Sequence, residues 1–297
     1  MTAYCRLRLV VAYLGSPFHG FALQPGVPTV AGALSEALGR VLRHPVELTC
    51  AGRTDAGVHA WGQVVSLDAA RETDLVSLQR SVNKMLSPNV ALREAQWAPA
   101  GFDARRWALS RTYRYSVACS PVASPLEAPV VWHVGEPLDI RGMQQACDAL
   151  LGEHDFTSFC RAPRGRSQDR RELRAEGAPG GGDVPAQGAR AAGASMVRRV
   201  LRADWSDLGE GHLRFEIEAG SFCHQMVRSI VGTMVDVGTG RRKAGEMTSV
   251  IAARSRAVAG QIAPPHGLCL WEVKYPDGAW LPASGAGAPG LSVAEPG

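Results

Sequence analysis

No two cysteines of this 297-residue chain lie closer than thirteen residues in sequence, so it contains no CxxC pair. That argues against a zinc ribbon and against a thioredoxin-like motif. The seven cysteines (5, 50, 119, 147, 160, 223 and 269) are an odd number. Without a signal-like start, an odd count predicts a reducing, cytoplasmic setting rather than a disulfide framework. Long apolar runs are missing too: the opening Arg6-Leu7-Arg8-Leu9 alternates, and nothing approaches the ~18 apolar residues of a membrane span. The sequence therefore predicts a soluble protein without a membrane partner. A strong charge of one sign is absent, since the net charge is +4, which permits a polyanionic partner without demanding one. With 45% hydrophobic and 20% charged residues, the chain is globular and long enough for one large domain or two ordinary ones.

What is present centres on Gly52 to Ala60, GRTDAGVHA. Nine residues hold an acid (Asp55), a base (Arg53), two glycines and His59, between the strand-like stretches HPVELTCA and WGQVVSLDA. A glycine-rich loop between strands can present a carboxylate and a guanidinium on a rigid frame. By itself the stretch reads equally as a hairpin connection with an incidental ion pair.

The flanking pattern organises the rest. Leu7, Leu9, Val11 and Tyr13 alternate as a strand. Pro28-Thr29 opens a helix with apolar positions Val30, Leu34, Leu38, Val41 and Leu42, and Asp74 caps a second with Leu75, Leu78, Val82 and Leu86. Val90 to Trp97 is a further strand, so the first ~100 residues read βαββαβ, a split βαβ unit. The second half repeats the theme. Strands are expected at Arg111–Ala118, Val130–Val134, Val197–Trp205, His212–Ala219 and Leu268–Tyr275. Helices are expected at Asp139–Leu151, Ser221–Val237 and Lys243–Arg254. The division expected is residues 1–105 and 106–276, with a Gly/Ala-rich insertion at about 164–195 and a disordered tail at 277–297.

Basic residues cluster at Arg161 to Arg174, and Phe102, Arg105 and Arg106 precede Tyr113 in FDARRWALSRTYRY. Basic residues interleaved with aromatics suit base stacking and phosphate pairing. Period two puts Arg111, Tyr113 and Tyr115 on one strand face. On the expected helix Ser221–Val237, Arg228 lies well away from the stripe Phe222, Met226, Ile230, Met234 and Val237, where it can meet a ligand or water.

GRTDAGVHA, RTYRY, GEHDF (Gly152 to Phe156), HQMVRSIVGTMVDVG and PPHGLCLWEV (Pro264 to Val273), in this order, resemble the TruA family of tRNA pseudouridine synthases. The resemblance runs from about Leu7 to Tyr275 and leaves out the insertion and the tail. The fold it implies is α+β, the pseudouridine synthase fold: two ferredoxin-like halves sharing a mixed, mainly antiparallel sheet with a central RNA-binding cleft. The activity it implies is isomerisation of uridine to pseudouridine at positions 38, 39 and 40 of the tRNA anticodon stem-loop, by a homodimer without metal or organic cofactor. Asp55 matches the family's catalytic aspartate, and three routes stay open for it: attack on the sugar, attack on the base, or removal of a C2′ proton. Arg53 and Arg228 match arginines beside that aspartate, and Tyr113 matches the tyrosine that stacks on the target base. Arg105, Gly52, Gly57 and His59 are implied in substrate binding or loop structure. The family's YDGT, TVQG and FHAR read YLGS, TVAG and FDAR here, at Leu14, Ala31 and Asp103. The altered YLGS and FDAR positions leave another tRNA site or another RNA as an alternative. A non-catalytic RNA-binding protein is a second alternative, against which the retention of Asp55, Arg53 and Tyr113 together argues.

Overall fold

The computed structural model describes residues 4–161 and 195–278. Most of the expected insertion and tail, and with them the arginines from 164 to 174, lie outside the described residues. Contacts divide the chain into one unit of residues 1–112 with 269–297 and another of residues 113–268.

In the first unit, the alternation seen in the sequence becomes β1 (Tyr4–Tyr13), whose residues from Leu7 onward are all buried. It lies antiparallel to β3 (His59–Ala70), with Leu9 opposite Val65, and to β4 (Val90–Trp97), with Leu9 opposite Ala95. β2 is only Thr49–Cys50, paired with Ser66 and Val65. The strand-like run expected from Pro45 shortens to these two residues, and its Pro45 has no amide to give a ladder. β10 (Leu268–Lys274) joins β3 in parallel, with Cys269 opposite His59, giving the order β4-β1-β3-β10. Although it is last in sequence, β10 belongs almost wholly to the first unit.

Two helices cover this sheet. α1 (Val30–Leu42) starts where the Thr29 hydroxyl accepts the Gly32 amide, and buries Leu34 and Leu38 completely. α2 (Leu75–Leu86) starts where Asp74 accepts the amides of Val76 and Ser77, and buries Leu78 and Val82. Each such side chain contributes roughly 1.5–3 kcal/mol on burial, which fixes the sheet face the helices occupy.

The second unit is organised likewise. β5 (Ser110–Ala118) begins in the first unit and continues here. The order is β5-β9-β8-β7, with β6 (Trp132–His133) parallel to β5. β8 (Val197–Gly209) and β9 (His212–Ala219) form a long antiparallel pair. β7 (Gly152–Asp155) adds antiparallel to β8. Its polar sequence carries no alternation, and only the ladder with β8 makes it a strand. α3 (Ile140–Cys147) stops earlier than expected, in a 3-10 turn at Asp148–Leu150. α4 (Met226–Gly238) begins five residues after the expected Ser221, because Gln225 just before it sits in the left-handed region at φ 65°. A shorter α5 (Glu246–Ala253) follows. Both units are α+β with mostly antiparallel strands, as the sequence led us to expect. None of the described helices is long and apolar enough to cross a membrane.

Candidate functional site

The stretch between β2 and β3 is braced on several sides. Its turn closes where the Val58 amide donates to the Asp55 carbonyl at 3.1 Å, with Gly57 at φ +77° in the third position. A side chain there would be strained, which accounts for that glycine. Upstream, Gln63 of β3 donates to the Gly52 carbonyl at 2.6 Å, and the Tyr13 and Thr54 hydroxyls share a 2.7 Å bond. Phe21 donates its amide to the Thr54 carbonyl at 3.1 Å. Arg111 donates to the Ala51 carbonyl at 2.8 Å and to the Arg105 carbonyl at 3.0 Å.

A second brace comes from the segment after β1. The Gly15 amide donates to His59 Nδ1 at 3.0 Å, so that nitrogen is the unprotonated one and His59 serves as a buried acceptor. Gly15 packs so closely on the loop that a Cβ would overlap the Val58 carbonyl. Its neighbour Leu14, one of the departures, is exposed and donates its amide to Asn89.

Held this way, Thr54 is buried, Asp55 half-buried and Arg53 exposed. The charges of Arg53 and Arg105 reach Cys50, where they oppose the burial that pushes its thiol up. Arg105 and Arg106 stand exposed on a turn whose amides both donate to Asp103 Oδ1 at 2.8 Å. Asp103, the departure in FDAR, is thus the cap of the turn that displays these arginines.

In the second unit, Tyr113 is 9% exposed, and Phe222 meets it edge-on with ring centroids 5.0 Å apart. Tyr115, which period two puts on the same strand face as Tyr113, is fully buried and donates to the Pro264 carbonyl at 2.8 Å. Burial pushes its hydroxyl far up, opposed by the charge of Arg228. Arg228 donates through Nε to the Ala263 carbonyl at 2.8 Å, and the Ala263 amide returns a bond to the Arg228 carbonyl at 3.1 Å. Arg228 is therefore tied to the Ala263–Pro264 segment, where the helical-wheel argument allowed water or ligand alone.

Within the first unit the structure gathers Gly52, Arg53, Asp55, Gly57, His59 and Arg105 around one region; within the second, Tyr113 packs against Phe222 and Arg228 is bonded to Ala263 beneath Tyr115. Sequence reasoning missed Tyr13, Thr54, Gln63 and Asp103. Gln63, a buried amide two residues after Trp61 on a strand, was the one legible signal, because a buried polar side chain needs a partner. A carboxylate on a loop this firmly braced is the equipment of an enzyme that uses an acid as nucleophile or base.

The comparisons with known proteins give that class a family. A family model described as tRNA pseudouridine synthase matches residues 182–276. A tRNA pseudouridine synthase A of Frankia casuarinae is 41% identical over 273 residues, covering 91% of this chain and 89% of the relative. One of Myxococcus xanthus is 36% identical over 274 residues, covering 92% and 93%. One of Leifsonia xyli subsp. xyli is 38% identical over 297 residues, covering 93% of each. The chain belongs to the tRNA pseudouridine synthase A family.

Proposed function

We propose that this protein isomerises uridine to pseudouridine in tRNA, at positions 38, 39 and 40 of the anticodon stem-loop. The observation that carries the reading is Asp55, held in the GRTDAG loop by the Gln63–Gly52 and Tyr13–Thr54 bonds. Membership of the tRNA pseudouridine synthase A family supports it from outside the site.

The reaction breaks the bond from ribose C1′ to N1, turns the uracil, and joins C5 to C1′. N1 gains a proton and C5 loses one, so nothing enters or leaves overall. Asp55 is the nucleophile of this proposal. An ionised carboxylate can attack C1′, attack the base or take the C2′ proton, and it can leave again in each case. Arg53, exposed beside it, meets the RNA and stabilises charge near the loop. Arg228 orders the segment under Tyr115 and acts near the reacting base. Tyr113 stacks on that base, Arg105 pairs with phosphate, and Gly52 and Gly57 let the backbone approach the RNA. His59 holds the loop through Gly15. The protein acts as a cytoplasmic homodimer on tRNA and requires no cofactor. Several neighbouring uridines are reached by reading RNA shape and backbone rather than bases.

The test is pseudouridine mapping by carbodiimide labelling and primer extension. The substrate is a tRNA transcript with uridines at 38, 39 and 40, with wild type and Asp55→Asn assayed side by side. Modification at those sites by wild type, with binding but no product in the variant, is the expected result. Product at other positions would redirect the substrate assignment. Turnover by Asp55→Asn near the wild-type rate would remove the carboxylate from the mechanism.

A further inference from the structure

Cys160 and Cys223, distant in sequence, are joined as a disulfide with Cα atoms 5.8 Å apart, a separation typical of such bonds. The other five cysteines stand outside any disulfide. The pair ties two turns that bear on the candidate site. Cys160 ends the 3-10 turn Thr157–Phe159, and the amide of Arg161 beside it donates to the His224 carbonyl at 3.0 Å. Cys223 sits in the turn between β9 and α4. That turn carries Phe222, whose ring packs edge-on against Tyr113, and ends at the left-handed Gln225, three residues before Arg228.

Tyr113 is only 9% exposed in this state, and the Phe222 ring packs edge-on against it. A tyrosine that stacks on a base must present a face, and freeing Tyr113 for that requires the Phe222 turn, packed edge-on against it, to give way. A covalent tie one residue along from Phe222 opposes that movement. Protein disulfides formed in a reducing compartment are characteristically transient or redox-sensing.

We propose that Cys160 and Cys223 form a reversible thiol–disulfide site that closes the Phe222 turn over Tyr113 when oxidised and releases it when reduced. The proposal rests on the reading of Tyr113 as the base-stacking residue. With glutathione disulfide as oxidant, the partly exposed Cys223 thiolate attacks one of its sulfurs and expels a glutathione thiolate. The buried Cys160 thiolate then displaces the second glutathione, forming the Cys160–Cys223 bond. Two protein thiols become one disulfide and one glutathione disulfide becomes two thiols, so electrons and protons balance. A dithiol reductant runs the exchange backwards.

The test uses the full chain, poised with glutathione disulfide or with a phosphine reductant. The oxidised form should be lighter by two hydrogen atoms and titrate five thiols instead of seven. Backbone amides from Phe222 to Met226 should exchange about tenfold faster after reduction, as the turn opens locally. Pseudouridine formation by the oxidised form should show kcat/KM lower by about fivefold or more, since the gate sits before base stacking. Cys223→Ser should keep the reduced rate in both conditions. Seven thiols after oxidation would overturn the proposal, and so would a disulfide that forms without changing either exchange or turnover. If even the reduced protein leaves tRNA unmodified, the assigned reaction is what fails. The exchange measurement then still decides whether the pair gates Tyr113.

Discussion

Gln63, with no exposed surface, donates through Nε2 to the Gly52 carbonyl at 2.6 Å, and the same nitrogen lies 3.4 Å from the Tyr13 hydroxyl. One side chain of β3 thereby fixes where the Asp55 loop begins. Gln63→Met keeps the volume and leaves the part-buried Gly52 carbonyl without its donor. An orphaned buried acceptor costs about 1–3 kcal/mol. The expected outcome is a stability loss of that size by urea denaturation. Single-turnover pseudouridine formation should slow by about tenfold or more, because the carboxylate loses its placement. Affinity for tRNA, set by exposed basic residues, should hold within about twofold.

Gly15 and Gly26 provide a matched pair. A Cβ on Gly15 meets the Val58 carbonyl, while one on Gly26 meets nothing, although Gly26 has φ +75°. Gly26→Ala should cost about 1 kcal/mol of backbone strain and leave turnover intact. Gly15→Ala must move the loop or β1, with a loss of about 2–4 kcal/mol and turnover reduced by about a hundredfold. Thermal melts and initial rates on the two variants separate strain from displacement. Equal effects would show that close approach to the loop is not what Gly15 provides.

Asp103 and Arg105 test the RNA contact. Arg105→Ala should weaken tRNA binding and lower the slope of log affinity against log salt by about 0.7–0.9, the signature of one lost phosphate contact. Asp103→Ala removes the acceptor of two amides and should cost about 1 kcal/mol of stability. It should also weaken binding, by loosening the turn that displays Arg105 and Arg106. Filter binding across a salt series reads both. An unchanged slope in Arg105→Ala would place this turn outside the RNA interface.

Asp74 gives a pH dependence with a definite sign. Hydrogen bonds from the Ser77 hydroxyl and amide hold its carboxyl below the ordinary 3.8. A depressed folded value means the group binds protons more readily when unfolded. Its contribution is therefore fully present above about pH 4, near the unfolded pKa, and is lost as pH falls through the lower folded value. The stability gap between wild type and Asp74→Ala should be constant from neutral pH down to that region and then narrow. Denaturation at a series of acid pH values measures it.

The fold was legible where local rules and packing agree. Thr29 and Asp74 announce helices and cap them, and the alternation from Leu7 to Tyr13 is β1. It was less legible where tertiary contacts overrule local pattern. The apolar spacing from Phe222 to Val237 looks like one amphipathic helix. Yet Gln225 turns left-handed, Phe222 packs on Tyr113, and α4 is buried nearly all round. Asp55 and its loop could be read from GRTDAG, because the chemistry is contiguous. The braces from Tyr13, Gly15 and Gln63 could not, since they depend on strand register across dozens of residues. The pairing of Cys160 with Cys223 could not be read either, since 63 residues separate the two and only the fold brings them together.

Gly267 and Tyr115 carry the last prediction, on the second unit. A Cβ on Gly267 would lie 2.6 Å from the Tyr115 ring, whose hydroxyl holds the Pro264 carbonyl. The adjoining Ala263 carbonyl is the acceptor for Arg228 Nε, so the ring, the segment Ala263–Gly267 and Arg228 move together. Tyr115→Phe removes only the hydroxyl bond and should cost about 1 kcal/mol, with turnover within about threefold of wild type. Gly267→Ala overfills a packed site, which costs about 1–3 kcal/mol. It also shifts the carbonyl on which Arg228 rests, and kcat should fall more than tenfold while tRNA affinity changes little. Arg228→Lys keeps the charge but cannot reproduce the guanidinium's fixed donor at Nε, and should resemble Gly267→Ala in kcat with smaller loss of stability. If Gly267→Ala lowers stability yet leaves kcat intact, the Ala263–Gly267 segment only packs the unit. Arg228 would then act without needing it.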